Sequence, residues 1–305
     1  MFREFQYDSC GSGKIHVSLW EPDGDFAGII QIVHGLAEHS KRYDDFANYL
    51  NKQGFLVIAE DHMGHGKSAK SKDKLGQYTG GWFSMVKDTY KLMEEIRGEF
   101  PDKPYILFGH SMGSFIVRTI LEKYPVSGAS AAILCGTAWP STPILKSYVE
   151  LSRLICKTTH EKQPSSILQK VLFGSYNHRV ERPRTAYDWI SRVSNEVDAF
   201  IGDPLCGFDI PSCLAREILL GLSFTQSKEN LEKMNKDLPV FFISGGDDPV
   251  GGYGNGVRKA AEMFKKAGMK DVSTRIYPLC RHEILNEMNR NDVYGDIVRW
   301  IRHKI

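Results

Sequence analysis

The stretch YILFGHSMGSFIV, residues 105–117, leaves little freedom in how it folds. Four mostly apolar residues, Tyr105 to Phe108, have the length and character of a short buried strand. Gly109-His110-Ser111-Met112-Gly113 follows at once, and Ile116, Val117, Ile120 and Leu121 then recur at helical spacing. The result is strand, sharp turn and helix, with a serine at the apex. Both glycines are needed because strand and helix pass so close that a Cβ on either would clash. A Gly-flanked serine taken alone is most often just a turn; the strand before it and the helix after it give this one weight. The turn would hold Ser111 strained, its hydroxyl exposed at the helix N-terminus, where backbone N–H groups favour negative charge.

Around this stretch the chain alternates short apolar strands with helices. Residues 2–8 and 14–20 read as a leading antiparallel hairpin turning at Gly11-Ser12-Gly13. Ile29 to Val33 and 54–61 are near-continuous apolar runs, as expected of strands buried on both faces. Helices are expected from about Tyr43 to Gln53 and from Phe83 to Phe100, and a further strand at 129–135. The rhythm stops near Trp139. From there to Gln226 helical stretches lie between prolines, two of them being PILKSYVELSRLIC and AYDWISRVSNEVDAFI. Strands return at 238–248 and 272–278, with helices at 256–267 and 284–301. The pattern predicts an α/β fold: a mostly parallel central sheet flanked by helices, with core residues 1–138 and 227–305 separated by a mainly helical insertion, 139–226.

A serine hydroxyl is a poor nucleophile at neutral pH and needs an adjacent base. Two further loops supply the right residue types in order. Asp247 and Asp248 follow the strand at 240–244, and His282 follows the strand at 272–277. Asp is common in Gly/Pro-rich turns, and a lone His is usually a surface residue. Three residue types in chain order, each after a strand, are harder to attribute to chance. The expected catalytic set is Ser111, Asp248 (favoured over Asp247) and His282. The oxyanion of acyl transfer needs preorganised N–H donors. Met112, directly after the serine, is one candidate, and Leu36 in the loop HGLAEHS is the other.

Other signals exclude more than they suggest. With 39 Lys and Arg against 37 Asp and Glu, the net charge of +2 gives no electrostatic case for nucleic acid. No apolar run approaches the ~20 residues of a membrane span, and MFREFQYDSCGSGK lacks a signal peptide's apolar region, so a cytoplasmic location is expected. The six cysteines are widely spaced, without C-x-x-C or a Cys/His array, so neither a metal site nor a disulfide framework is expected. GHGKS at 64–68 resembles a P-loop ending, but Asp61 stands where that motif needs glycine. GGYGNG at 251–256 does not match G-x-G-x-x-G, and His62-x-x-His65 has no evident third ligand. No cofactor and no obligate protein partner are expected.

Together, HGLAEHSKRY (34–43), DHMGHGKS (61–68), GHSMG (109–113), SGGDDPV (244–250) and CRHE (280–283) resemble the monoacylglycerol lipase and lysophospholipase branch of the α/β-hydrolases, also labelled serine aminopeptidase-like. The resemblance spans nearly the whole chain. It implies the α/β-hydrolase fold and assigns Ser111 as nucleophile, Asp248 as acid, His282 as base, and the Leu36 and Met112 N–H groups as oxyanion hole. It also implies a cap shaping an acyl-chain channel. The cap matches least, so substrate choice transfers least. The expected activity is cofactor-free cleavage of a carboxylic ester with a fairly apolar acyl chain, such as a monoacylglycerol or lysophospholipid. The apolar residues Ile144, Leu145, Tyr148, Val149, Leu151, Leu154 and Ile155 would pack the cap or face substrate or a lipid surface. A peptidase or amidase on the same triad and a transacylase are the alternatives; a complete triad disfavours a non-catalytic binding protein.

Overall fold

A computed structural model describes residues 1–77, 79–158 and 161–305. Its described strands are β1 (Phe2–Asp8), β2 (Lys14–Trp20), β3 (Gly28–Val33), β4 (Phe55–Glu60), β5 (Tyr105–His110), β6 (Ala131–Cys135), β7 (Val240–Gly245) and β8 (Val272–Tyr277). They form one sheet in the order β1-β2-β4-β3-β5-β6-β7-β8. β1 pairs antiparallel with β2 and β2 antiparallel with β4, and every later pairing is parallel. The serine strand β5 therefore sits near the middle, between β3 and β6.

The helices are α1 (Asp44–Lys52), α2 (Trp82–Glu99), α3 (Met112–Lys123), α4 (Thr142–Thr158), α5 (Ser166–Phe173), α6 (Ser194–Gly202), α7 (Ser212–Phe224), the single turn α8 (Lys228–Leu231), α9 (Asn255–Lys266) and α10 (Arg290–Lys304). The two-residue period of β5 divides the core. Tyr105 and Leu107 join α2, α3 and α9 on one face; Ile106 and Phe108 join α1 and α10 on the other. Burial of both faces is why the inner strands β3 to β7 read as nearly unbroken apolar runs. Leu145, Val149, Leu168, Leu214 and Leu219 from α4, α5 and α7 extend the first cluster, so the segment between β6 and β7 shares a core with the sheet. Among its described residues that segment holds no strand, only an isolated bridge between Pro164 and Pro211.

Two expected helices are shorter than the sequence suggested. AYDWISRVSNEVDAFI is helical only from Ser194; residues 186–193 form turns. Asp188 explains part of this. Its carboxylate accepts from the backbone N–H groups of Arg184 and Thr185 and from Thr185 Oγ1, the local bonding by which Asp competes with a helix. The terminal helix begins at Arg290 rather than 284, because 284–286 form a separate 3-10 turn. There the Glu287 carboxylate accepts from the N–H groups of Arg281 and Arg192, which ties the chain down before the helix starts.

Candidate active site

The serine turn has the strain the sequence predicts. Ser111 has φ 51° and ψ −120°, a conformation that non-glycine residues rarely occupy. Its N–H donates to the Cys135 carbonyl at 2.9 Å, and its carbonyl accepts from Ser114 N (2.9 Å) and Ser114 Oγ (2.6 Å). These bonds from β6 and α3 hold the strained residue in place. The flanking glycines are obligatory. A Cβ at Gly113 would sit 1.9 Å from the Val33 carbonyl oxygen, and one at Gly109 would sit 2.6 Å from the Gly113 carbonyl oxygen.

β7 and β8 bring in the other two residues. His282 Nδ1 lies 2.9 Å from Asp248 Oδ1. Asp248 is fully buried, and its carboxylate also accepts from Ser244 Oγ (2.9 Å) and Val250 N (2.9 Å). With Nδ1 turned to the carboxylate, Nε2 is the ring nitrogen left for another partner. Asp247 is exposed, and its backbone N–H is used by the Cys280 carbonyl. The His282 ring lies between His110 (ring centroids 4.7 Å apart) and Trp189 (5.2 Å). Gly136 leaves room for it: a Cβ there would be 2.9 Å from His282 Cε1.

The loop after β3 presses against the serine. A Cβ at Gly35 would be 3.2 Å from Ser111 Cβ. Leu36 and Met112 line one cavity with Ser111 and His282, of about 390 Å³. Its walls are mostly apolar: Phe115 from α3, Leu172 and Phe173 from α5, and Ile218, Leu219 and Leu222 from α7. Serine, histidine, acid and the 36/112 backbone thus converge at the C-terminal ends of β3, β5, β7 and β8, where open α/β sheets bind ligands.

A buried carboxylate organises this end of the sheet, and sequence reasoning gave it no role. Glu38 accepts from Gly35 N (2.5 Å), Tyr43 Oη (2.8 Å) and Arg42 Nη1 (2.8 Å), and His110 Nδ1 lies 3.2 Å away. Arg42 in turn grips Glu283, the residue after the histidine. Burial alone would raise the Glu38 pKa, but the His110 hydrogen bond and the Arg42 charge hold the carboxyl well below its usual range. Burial works against a charged His110, yet Glu38 overrides it and raises that pKa. The Glu38/Arg42 spacing of four residues was visible, but the second partner of Arg42, at position 283, was not.

The segment after α5 is strapped to the histidine loop. The Glu283 and His282 N–H groups donate to the Ile190 (2.7 Å) and Trp189 (3.4 Å) carbonyls. Arg281 Nη1 donates to the carbonyls of Asp188 (2.6 Å) and Ser191 (2.9 Å). The histidines of the DHMGHG loop serve the interior: His62 N donates to His34 Nε2 at 3.0 Å, and the His34 and His62 rings lie 4.1 Å apart, tilted by 38°.

A central parallel sheet with a serine on a strained strand-to-helix turn, followed in chain order by an Asp–His pair, defines the α/β-hydrolase class. A family model described as "Serine aminopeptidase, S33" matches residues 24–289. The chain belongs to that family. It is 28% identical over 303 residues to a monoacylglycerol lipase of Mycolicibacterium smegmatis, covering 98% of this chain and 96% of the relative. It is 25% identical to the human monoglyceride lipase, covering 93% and 86%. Among solved structures it resembles a highly thermostable carboxyl esterase from Bacillus coagulans in complex with glycerol, with a TM-score of 0.90, 31% identity, and 99% and 98% of the two chains covered.

Proposed function

We propose that this chain is a serine hydrolase of carboxylic esters, of the monoacylglycerol lipase type, with Ser111 as nucleophile, His282 as base and Asp248 as acid. The observation that carries the reading is the strained Ser111 facing an apolar cavity shared with a histidine whose Nδ1 is bound to a buried aspartate. Ser111 Oγ attacks the ester carbonyl while His282 Nε2 takes its proton. The N–H groups of Leu36 and Met112 stabilise the oxyanion. His282 then protonates the departing alkoxide, leaving an acyl-Ser111 ester, and a water activated by the same nitrogen releases the acid. Asp248 fixes the histidine tautomer and stabilises the imidazolium.

The substrate we propose is a monoacylglycerol or similar single-chain ester. The relatives' names and the predominantly apolar cavity wall support this. In this reading residues 139–226 are a cap over the core. Ile144, Leu154 and Ile167 of α4 and α5 are 49%, 58% and 57% exposed and suit contact with a lipid aggregate. Leu145, Val149 and Ile155 are buried and pack the cap instead. The aminopeptidase name carries less, because a substrate ammonium needs a free carboxylate. Of the carboxylates lining the cavity, the buried Glu38 and Glu283 are both engaged by Arg42, and Asp209 is exposed, where solvent screens its charge. Among the described residues no helix is long and apolar enough to cross a membrane. The deciding experiment assays wild type and Ser111→Ala on an ester chain-length series, monoacylglycerols, lysophospholipids and aminoacyl anilides. Cleavage of anilides alone, or of short soluble esters alone, would overturn the substrate assignment.

A further inference from the structure

Just behind the cavity wall, three donors of different chemistry meet where the loop after β3 touches the turn after α6. His39 Nε2, Asp203 Oδ2 and the Cys206 sulfur all lie within 4.8 Å of one another. His39 and Cys206 are buried, and Asp203 is partly so. Asp203 and Cys206 share one tight turn, closed by Cys206 N donating to the Asp203 carbonyl at 3.0 Å. Leu205 N binds Asp203 Oδ1 at 2.8 Å, which leaves Oδ2 for His39, 2.9 Å from its Nε2. A separate backbone bond holds this turn against the loop: Gly207 N donates to the Ala37 carbonyl at 2.9 Å. The convergence of the three donors therefore does not depend on their own contacts.

We propose that His39, Asp203 and Cys206 form a divalent metal site, and that Zn²⁺ is the ion its nitrogen, oxygen and sulfur donors suit best. On binding, the Cys206 thiol releases its proton to solvent, the His39 Nε2 proton that Asp203 accepts in the metal-free state is lost as the ring takes the neutral Nδ1–H form, the carboxylate coordinates as it stands, and one water completes the tetrahedron. Bond lengths of 2.0–2.3 Å place ligand atoms of such a site roughly 3.3–3.8 Å apart. His39 and Asp203 need to part by less than about 1 Å, and Cys206 to close by about as much, both within side-chain reach. The Arg42 guanidinium, the nearby cation that would oppose an ion, is offset by Glu38 and Glu283. The bound ion fastens the α6 turn to the loop that carries Leu36. The plainer arrangement, a His–Asp hydrogen bond beside an unrelated thiol, holds no ion.

The test strips the protein with chelator, dialyses it against Zn²⁺ and measures zinc per chain, in a Cys10→Ser background that removes the exposed thiol. Wild type, Asp203→Asn and Cys206→Ser are compared, with far-UV circular dichroism as the folding check. The site predicts one zinc per chain in wild type and affinity weaker by about tenfold or more in each variant. It also predicts a Tm that rises with Zn²⁺ in wild type and rises less, at the same Zn²⁺ concentration, in Asp203→Asn, and a thiolate-to-metal charge-transfer band with Co²⁺ that Cys206→Ser lacks. Because Asp203 is partly exposed, its variant is the milder one and reports even where Cys206→Ser does not fold. Substoichiometric zinc in wild type, or equal retention in a folded variant, would overturn the proposal.

Discussion

Arg42 and Glu283 form a two-pronged ion pair, Nη1 to Oε1 at 2.7 Å and Nη2 to Oε2 at 2.8 Å. The pair spans 241 positions of chain and joins the loop carrying Leu36 to the loop carrying His282. Arg42→Lys keeps the charge but loses the planar fork. Displacement of either loop by a fraction of an ångström is expected to lower kcat by about 10–100-fold with little change in KM. Steady-state kinetics check this, and equal loss in both parameters would point to a different role for the pair.

Asp248 and Asp247 are adjacent in sequence and opposite in consequence. Asp248→Asn is expected to reduce kcat by about 10⁴-fold, since the amide favours the wrong histidine tautomer. Asp247→Asn, at an exposed position, should stay within about 0.5 kcal/mol of wild type in stability and close to it in rate. Parallel assays of the two variants decide which aspartate partners the base.

Gly113→Ala should not accumulate as folded protein. The added methyl would meet the Val33 carbonyl oxygen at 1.9 Å, and that oxygen belongs to the neighbouring central strand, which has nowhere to retreat. Overpacking of this kind costs about 1–3 kcal/mol even where a core can adjust. Ser111→Ala, which adds no atoms, should fold with a Tm near wild type; comparing the soluble yield and Tm of the two variants isolates the steric cause.

Glu122 is a buried carboxyl on α3 whose two oxygens have no hydrogen-bond partner among the described residues, and burial, its largest influence, raises its pKa to about 8. Unfolded, it titrates near 4.5. Between these values the folded protein holds a proton that the unfolded chain does not, so stability falls as pH rises from about 4.5 to 8, by up to about 1.4 kcal/mol per pH unit. Glu122→Gln removes that dependence. Urea midpoints should match wild type near pH 4.5 and exceed it at pH 8, and equal midpoints at both would refute the assignment.

The inner sheet was legible because its strands, β3 to β7, are buried on both faces and bounded by glycine, proline or a helix signal. Gly109 was readable for a local reason, since the atoms that need its space, at Gly113 and Ser114, belong to the same strand–turn–helix unit, whereas Gly113 makes room for Val33 of the neighbouring strand β3. What stayed hidden joins distant segments. Nothing near Glu38 indicates that its carboxylate collects Gly35, Arg42, Tyr43 and His110 together. The turns at 186–193 read as helix because Trp189 and Ile190 fit that period, whereas their carbonyls serve the His282 loop. His39, Asp203 and Cys206 lie on segments that only folding brings together, so cysteine spacing was silent about them.

The order of the loops also has a consequence in time. The proposed nucleophile leaves the ribosome early, while its base is encoded about 170 residues later, roughly 10–30 s of synthesis at ordinary rates. A nascent or prematurely terminated chain can carry the Ser111 turn but no Asp248–His282 pair to activate it. Reactivity is thus withheld until the last strand joins the sheet, and a partial chain cannot acylate itself at Ser111 by this route.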